Sequence, residues 1–144
     1  QSQMACVCDL LPTFAKLTNA PLPASHALDG QPLDALLSGQ PDPSHPPTFL
    51  MHYPHSPHRS DYFTVLRDGD WKVIYHYYPS ETSENSHYQL YNLADDPFES
   101  SNLAQQQPQQ LKRMMLRLIE ALDESQAQYP LSEDGSQELR PQLP

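Results

Sequence analysis

Positive charge is scarce in this chain. Its 144 residues carry 8 Lys and Arg against 18 Asp and Glu, a formal net charge of −10. Nucleic acid and anionic membrane surfaces are both bound through a basic footprint, so the balance excludes them as partners. Long apolar runs are missing too. No stretch approaches the roughly 18 residues that would suggest a membrane-spanning helix. The start, Gln1-Ser-Gln-Met-Ala-Cys-Val-Cys8, has neither the basic opening nor the apolar core of a signal peptide. Cysteine is limited to Cys6 and Cys8. Neighbours so placed on an extended segment point to opposite sides, so they read as small, half-buried side chains and not as a bridge. A pair without nearby histidine is also too few for a zinc site. Apolar residues make up 38%, below the roughly 45–50% of an average globular domain, which leaves one domain with a modest core.

Proline is what the chain has in excess, at 16 of 144 residues, and it implies much extended connection between short elements. Residues 1–46 read as a connecting segment with two short helices. The first runs from Asp9 to Thr18, with Asp9 as a plausible cap, Pro12 in the first turn, and Leu10, Phe14 and Leu17 on one face. The second follows an Asp29-Gly30 turn and ends at Gly39. Residues 47–125 read as a compact subdomain of strands and a helix, and 126–144 as a mobile polar tail. Strands are expected at Thr48–Tyr53, Tyr62–Arg67, Asp70–Tyr78 and His87–Leu93. Asp68-Gly69 is the hairpin signal, and a type I′ turn on those two residues pairs Arg67 with Asp70 and Leu66 with Trp71. One face then carries Leu66, Trp71, Val73 and Tyr75. The other mixes Phe63, Val65 and Ile74 with Arg67, Lys72 and His76. A sheet apolar on both faces needs cover on both, a helix on one and a neighbouring domain on the other. After an Asp96-Pro97-Phe98-Glu99 helix start with a capping box, Pro108 to Ser125 is the clearest helix. Leu111, Met114, Met115, Leu118, Ala121 and Leu122 form its apolar stripe. The fold class is α+β, a small antiparallel sheet of about four strands packed by a long C-terminal amphipathic helix, with short helices at the N-terminal end.

Four strings carry a resemblance. Tyr88-Gln-Leu-Tyr-Asn-Leu-Ala-Asp-Asp-Pro-Phe-Glu-Ser-Ser-Asn-Leu-Ala104 is similar to the segment E-L-Y-(D/N)-L-x-x-D-P-x-E-x-x-N-L near the C-terminus of sulfatases. Asp9-Leu-Leu-Pro-Thr-Phe-Ala-Lys-Leu-Thr18 and Leu28-Asp-Gly-Gln-Pro-Leu-Asp-Ala-Leu-Leu-Ser-Gly39 resemble two further sulfatase strings, in the expected order. Arg67-Asp-Gly-Asp-Trp-Lys-Val-Ile74 fits a fourth. The chain thus resembles the C-terminal subdomain of the formylglycine-dependent sulfatases, within the alkaline-phosphatase-like superfamily, over roughly residues 7 to 125.

The resemblance implies a parent that hydrolyses a sulfate ester on a carbohydrate, with formylglycine as nucleophile and calcium polarising the sulfate. Neither Cys6 nor Cys8 begins the Cys-x-(Pro/Ala)-Ser-x-Arg-like signature that becomes formylglycine, and no calcium ligand of the family can be placed here. The chain alone is therefore expected to be inactive and to hold no cofactor. Its implied partners are the N-terminal catalytic domain and, through it, a sulfated carbohydrate. A typical parent would be periplasmic, secreted or lysosomal.

The candidate site is Met51-His52-Tyr53-Pro54-His55-Ser56-Pro57-His58-Arg59, where His52, His55, His58 and Arg59 form the densest cluster of donors. Imidazole is a common metal ligand, which makes a glycan- or metal-binding module an alternative. Pro54 and Pro57 bar a regular helix, however, so the rings need not converge. The resemblance implies substrate binding at the pocket rim instead, by imidazole and guanidinium groups donating to sulfate oxygens or sugar hydroxyls. Inert surface histidines are the third reading.

Overall fold

A computed structural model describes residues 3–54, 62–79 and 86–144. It divides into two compact units, Gln1–Pro47 and Thr48–Pro144. In the first, a 3-10 turn at Val7–Asp9 leads into helix α1 (Leu10–Thr18), which closes at Asn19 with a left-handed φ of 55°. Asparagine tolerates that conformation. A short α2 follows at Asp34–Leu37.

The Asp9 carboxylate does not cap α1. It accepts the N–H groups of Cys6 (2.7 Å) and Gln31 (2.9 Å), with His45 Nε2 at 3.3 Å. The Thr13 hydroxyl donates to the Asp9 carbonyl (2.6 Å) and accepts the Leu33 N–H (2.9 Å). These bonds strap the loop before α2 onto the start of α1. There Gly30 comes so close that an added Cβ would lie 2.1 Å from the Cys8 carbonyl oxygen. The 3-10 turn also corrects the reading of the cysteines. The backbone curls where an extended segment was expected, and Cys6 and Cys8 are joined by a disulfide. Part of the connecting segment beyond α2 is tied in as well, since the Gln3 side-chain amide meets both the carbonyl and the N–H of Asp42 at 2.7 Å.

Burial opposes the ionised form of Asp9, but the N–H groups of Cys6 and Gln31 and the adjacent His45 outweigh it and hold the carboxyl below its ordinary 3.8. A depressed folded value means that the stability Asp9 supplies is fully present above the ordinary value. It is lost as pH falls through the folded one. Asp9→Asn is therefore expected to lower stability near neutrality and to flatten the loss of stability below the ordinary 3.8. Urea denaturation across the acid range checks this, and parallel pH profiles for the two proteins would contradict it.

The second unit is a four-stranded antiparallel sheet in the order β1-β2-β3-β4, with strands Thr48–Tyr53, Phe63–Asp68, Trp71–His76 and Tyr88–Asn92. Helix α3 (Pro108–Glu124) opens on a proline, which suits a first turn. Its Leu111, Met114, Met115, Leu118 and Leu122 form one buried cluster with Leu66, Val73, Tyr75 and Leu90 of the sheet. The α+β architecture and the helix stripe are those expected from the sequence. No helix among the described residues is long and apolar enough to cross a membrane.

The β2–β3 turn departs from expectation. Arg67 pairs with Lys72 and Leu66 with Val73, so the loop is Gly69-Asp70. Gly69 has φ 59°, and Asp70 is not among the positive-φ residues. This is the pattern of a type II′ turn, which needs glycine first, whereas type I′ needs positive φ at both positions. The partners slip by two residues, an even number, so each side chain stays on its expected face.

The Asp96 turn is a further correction. Residues 96–100 form no helix. Glu99 adopts φ 55°, which a helix cannot continue through, and its carboxylate accepts Lys72 Nζ (2.6 and 2.7 Å) instead of closing a capping box. Arg67, expected opposite Asp70, has another partner. Arg67 Nε donates to the Gly69 carbonyl (3.0 Å). Residues 126–144, expected as a mobile tail, run back along the sheet. The Tyr88 hydroxyl donates to the Gln142 carbonyl (3.1 Å) and that of Tyr78 to the Leu131 carbonyl. Arg140 lies 4.4 Å over the Tyr129 ring, and Ala127, Tyr129 and Leu139 pack on the core. Three apolar contacts spread through a polar segment leave little periodicity to read.

Candidate functional site

His52 lies one residue before the end of β1, directly across from Thr64 on β2. Alternation along the strand puts it on the face covered by α3, with Leu50 and Thr48, while Met51 and Tyr53 point the other way. Both ring nitrogens are engaged. Nε2 lies 2.6 Å from the Gln128 carbonyl oxygen, and Nδ1 lies 2.7 Å from the Thr64 hydroxyl. Thr64 Oγ1 is in turn 2.8 Å from the Tyr77 hydroxyl.

A carbonyl oxygen can only accept, so Nε2 carries the proton. In the neutral ring Nδ1 then accepts from Thr64, and Thr64 accepts from Tyr77. The chain of donors runs in one direction, from Tyr77 through Thr64 and His52 to Gln128. Thr64 and Tyr77 are buried. Burial pushes the Tyr77 hydroxyl well above its ordinary value, so it remains a donor. The rings of Tyr77 and Tyr129 stand edge-on to the imidazole at 6.1 and 5.9 Å. His52 thus joins β1, the sheet interior and the segment after α3. Its predicted companions His55, His58 and Arg59 lie outside the described residues.

The partners Thr64, Tyr77, Gln128 and Tyr129 were not anticipated. Only Thr64 left a signal, as a hydroxyl on the core-facing side of its strand beside Leu66. Nearby, burial and then the adjacent Tyr88 push the Tyr75 hydroxyl up to about 12. His87 stacks on Tyr75 with ring centroids 5.3 Å apart and donates from Nδ1 to the His76 carbonyl (2.7 Å).

Among the described residues one set of three potential metal ligands clusters, Cys6, Cys8 and Asp9. It does not suit calcium, which takes six to eight oxygens. Here two donors are sulfurs bonded to each other, and the Asp9 oxygens already accept backbone N–H groups.

The family described as N-sulphoglucosamine sulphohydrolase, C-terminal, matches residues 1–128. The chain belongs to that family. The expected kinship with sulfatases is thereby shown, and the strand–helix unit around His52 is the fold of a sulphohydrolase C-terminal region. No curated protein matches the chain. Solved structures do. One was determined in complex with its substrate D-glucosamine-2-N,6-O-disulfate (TM-score 0.63, 21% identity, 82% of this chain and 24% of that one). Another is a 2-O GAG sulfatase (TM-score 0.61, 24% identity, 82% and 24%). A third is the phosphonate monoester hydrolase of Agrobacterium radiobacter (TM-score 0.60, 18% identity, 96% and 30%). At these identities the likeness is one of fold, and the fold serves both sulfate and phosphonate ester hydrolases. The chain spans between 24% and 30% of the length of these relatives.

Proposed function

We propose that this chain is the C-terminal subdomain of a sulfuric ester hydrolase acting on a sulfated carbohydrate, and that it completes the rim of the substrate pocket and covers the catalytic domain. The observation that carries the reading is the family match over residues 1–128. The nucleophile, a formylglycine, and a calcium ion belong in this reading to the N-terminal catalytic domain. When bound there, the ion supplies charge that polarises the sulfate.

The chain's own contribution begins at the end of β1. His52 is a positioning residue, because its nitrogens are committed to Thr64 and Gln128 and fix the strand from which the next residues depart. His55, His58 and Arg59 are the substrate-contacting groups, donating charge-assisted hydrogen bonds to sulfate oxygens or sugar hydroxyls. The second face of the sheet supports the covering role, for it carries Phe49, Met51, Phe63, Val65 and Ile74, of which Phe49 and Met51 are exposed.

Three measurements test this. The purified chain is expected to hydrolyse no aryl sulfate with or without calcium, and turnover by it would refute the division of roles. In the complete enzyme, His55→Ala or Arg59→Ala is expected to lower kcat/KM for the sulfated sugar about 10- to 100-fold, the loss of one hydrogen bond to a charged group. Unchanged constants would reduce the segment to a structural appendage. Tight zinc binding by the isolated chain, lost on His55→Ala, would favour an independent module.

A further inference from the structure

Two cysteines with no histidine beside them in the sequence are too few for zinc, but the fold supplies one. Cys6 Sγ, Cys8 Sγ and a carboxylate oxygen of Asp9 lie within 4.8 Å of one another. His45, from the segment before β1, sets its Nε2 3.3 Å from Asp9 Oδ2. The imidazole side chain is only 6% exposed, yet Nε2 makes no hydrogen bond. A buried ring nitrogen left in that state is costly and calls for another partner.

The corner is held from several sides. The Gln3 amide clasps Asp42, and the His45 N–H donates to the Asp42 carbonyl (3.2 Å), which fixes the backbone that presents the ring. The Cys6 and Gln31 N–H groups each donate to a different oxygen of Asp9, so each oxygen keeps a second lone pair. The Cys8 N–H donates to Cys6 Sγ (3.1 Å), a contact that suits an anionic sulfur.

We infer that, when the Cys6–Cys8 bridge is reduced, Cys6, Cys8, Asp9 and His45 bind a zinc ion that staples the turn before α1 to the segment before β1. Two thiolates, an imidazole and a carboxylate are all zinc donors and make a closed four-ligand set. Atoms bound to zinc at about 2.0–2.3 Å sit roughly 3–4 Å from one another. The Asp9–His45 distance already has that value, and sulfurs no longer bonded to each other separate toward it. A dithiol supplies the two electrons and two protons that break the Sγ–Sγ bond and becomes a disulfide itself. Zinc then displaces both thiol protons to solvent. The bridge closes over a single intervening residue, so it constrains the unfolded chain little and its opening sacrifices little stability.

The test uses the 144-residue chain, reduced with dithiothreitol, desalted without oxygen and titrated with zinc or cobalt(II) alone. A single ion is expected to bind, with cobalt showing the intense thiolate charge-transfer absorption of sulfur ligation. The oxidised chain should lack this site. Cys6→Ser or Cys8→Ser should weaken binding about 100-fold or more, and His45→Ala about 10-fold or more. Circular dichroism of each reduced protein tells a lost site from a lost fold. If the cysteine variants do not fold, reduced against oxidised wild type and His45→Ala carry the test. Failure of the reduced chain to bind, or equal binding after oxidation, overturns the inference. So does unchanged affinity in His45→Ala, which would mean chelation by a flexible dithiol alone. Zinc lost on His55→Ala instead would place the ion beyond the end of β1 and overturn it as well.

Discussion

Replacing Gly30 with alanine is expected to unfold the first unit or to destabilise it by about 3 kcal/mol or more. The methyl carbon would meet the Cys8 carbonyl oxygen at 2.1 Å, the Cys8 carbonyl carbon at 2.3 Å and the Asp9 nitrogen at 2.7 Å. All three atoms are backbone, so no side chain can swing aside to relieve the clash. The loop would have to lift away. Lifting it breaks the bond from Gln31 N–H to Asp9 and strains that from Leu33 N–H to Thr13, leaving polar groups buried without partners. Hydrogen exchange is the measurement of choice, because it resolves the two units. Protection should be lost at the Gln31 and Leu33 amides while Val73 and Leu90 in the sheet keep theirs. Gly39 is a useful control. An added Cβ there meets nothing within 4 Å, although its φ of 76° disfavours any side chain, so Gly39→Ala should cost only about 1 kcal/mol. Native protection throughout the Gly30→Ala protein would show that the strap is not tight in solution.

What the sequence revealed was what repeats. The α3 stripe was legible because five of its six expected positions are buried and the sixth, Ala121, packs at the margin. Strand faces were legible because their period is two, and they survived a wrong turn type because the slip was even. Single polar contacts between distant positions left no such trace. Asp9 looked like a helix cap because a carboxylate before a helix usually is one. Of its true partners, the Cys6 amide is three residues back, but the Gln31 amide is 22 residues away. The capping box at Asp96 failed for a related reason. Glu99 had two possible partners, and a lysine 27 residues distant held it in place of the local amide. At the candidate site, proline spacing and histidine density located the end of β1 but not the Thr64–Tyr77 and Gln128 contacts that hold it.

The motif that pointed to the family earns its place in the fold through Asn102. Its Oδ1 accepts the Leu90 N–H and the Ala104 N–H, each at 3.0 Å, and its Nδ2 donates to the Tyr88 carbonyl (3.2 Å). With the Leu103 N–H bonded to the Leu90 carbonyl (2.8 Å), Asn102 and Leu103 occupy the outer edge of β4, whose other edge pairs with β3. An open strand edge is a row of unpaired groups that invites foreign pairing. Here two residues of the same chain fill it. Asn102→Ala is expected to cost about 2–4 kcal/mol, since the amide of fully buried Leu90 and that of Ala104 lose their acceptor. Urea denaturation reads the loss as a lower midpoint with the slope preserved.

Asn102→Asp separates hydrogen bonding from shape. The carboxylate keeps the two acceptor bonds but has no donor for the Tyr88 carbonyl and places negative charge against it. At neutral pH it should therefore also be destabilising. The Tyr88 carbonyl favours the protonated form of the introduced group, whereas the Leu90 and Ala104 N–H groups favour the ionised one, so the direction of its shift reads which contact dominates. If the carbonyl dominates, the folded pKa is raised and the variant regains stability relative to wild type as pH falls through it, because the acid O–H can donate where Nδ2 did. If the two N–H groups dominate, the folded pKa is depressed and the variant loses further stability as pH falls through it. A deficit that stays constant from neutral to acid pH would mean that the two influences cancel.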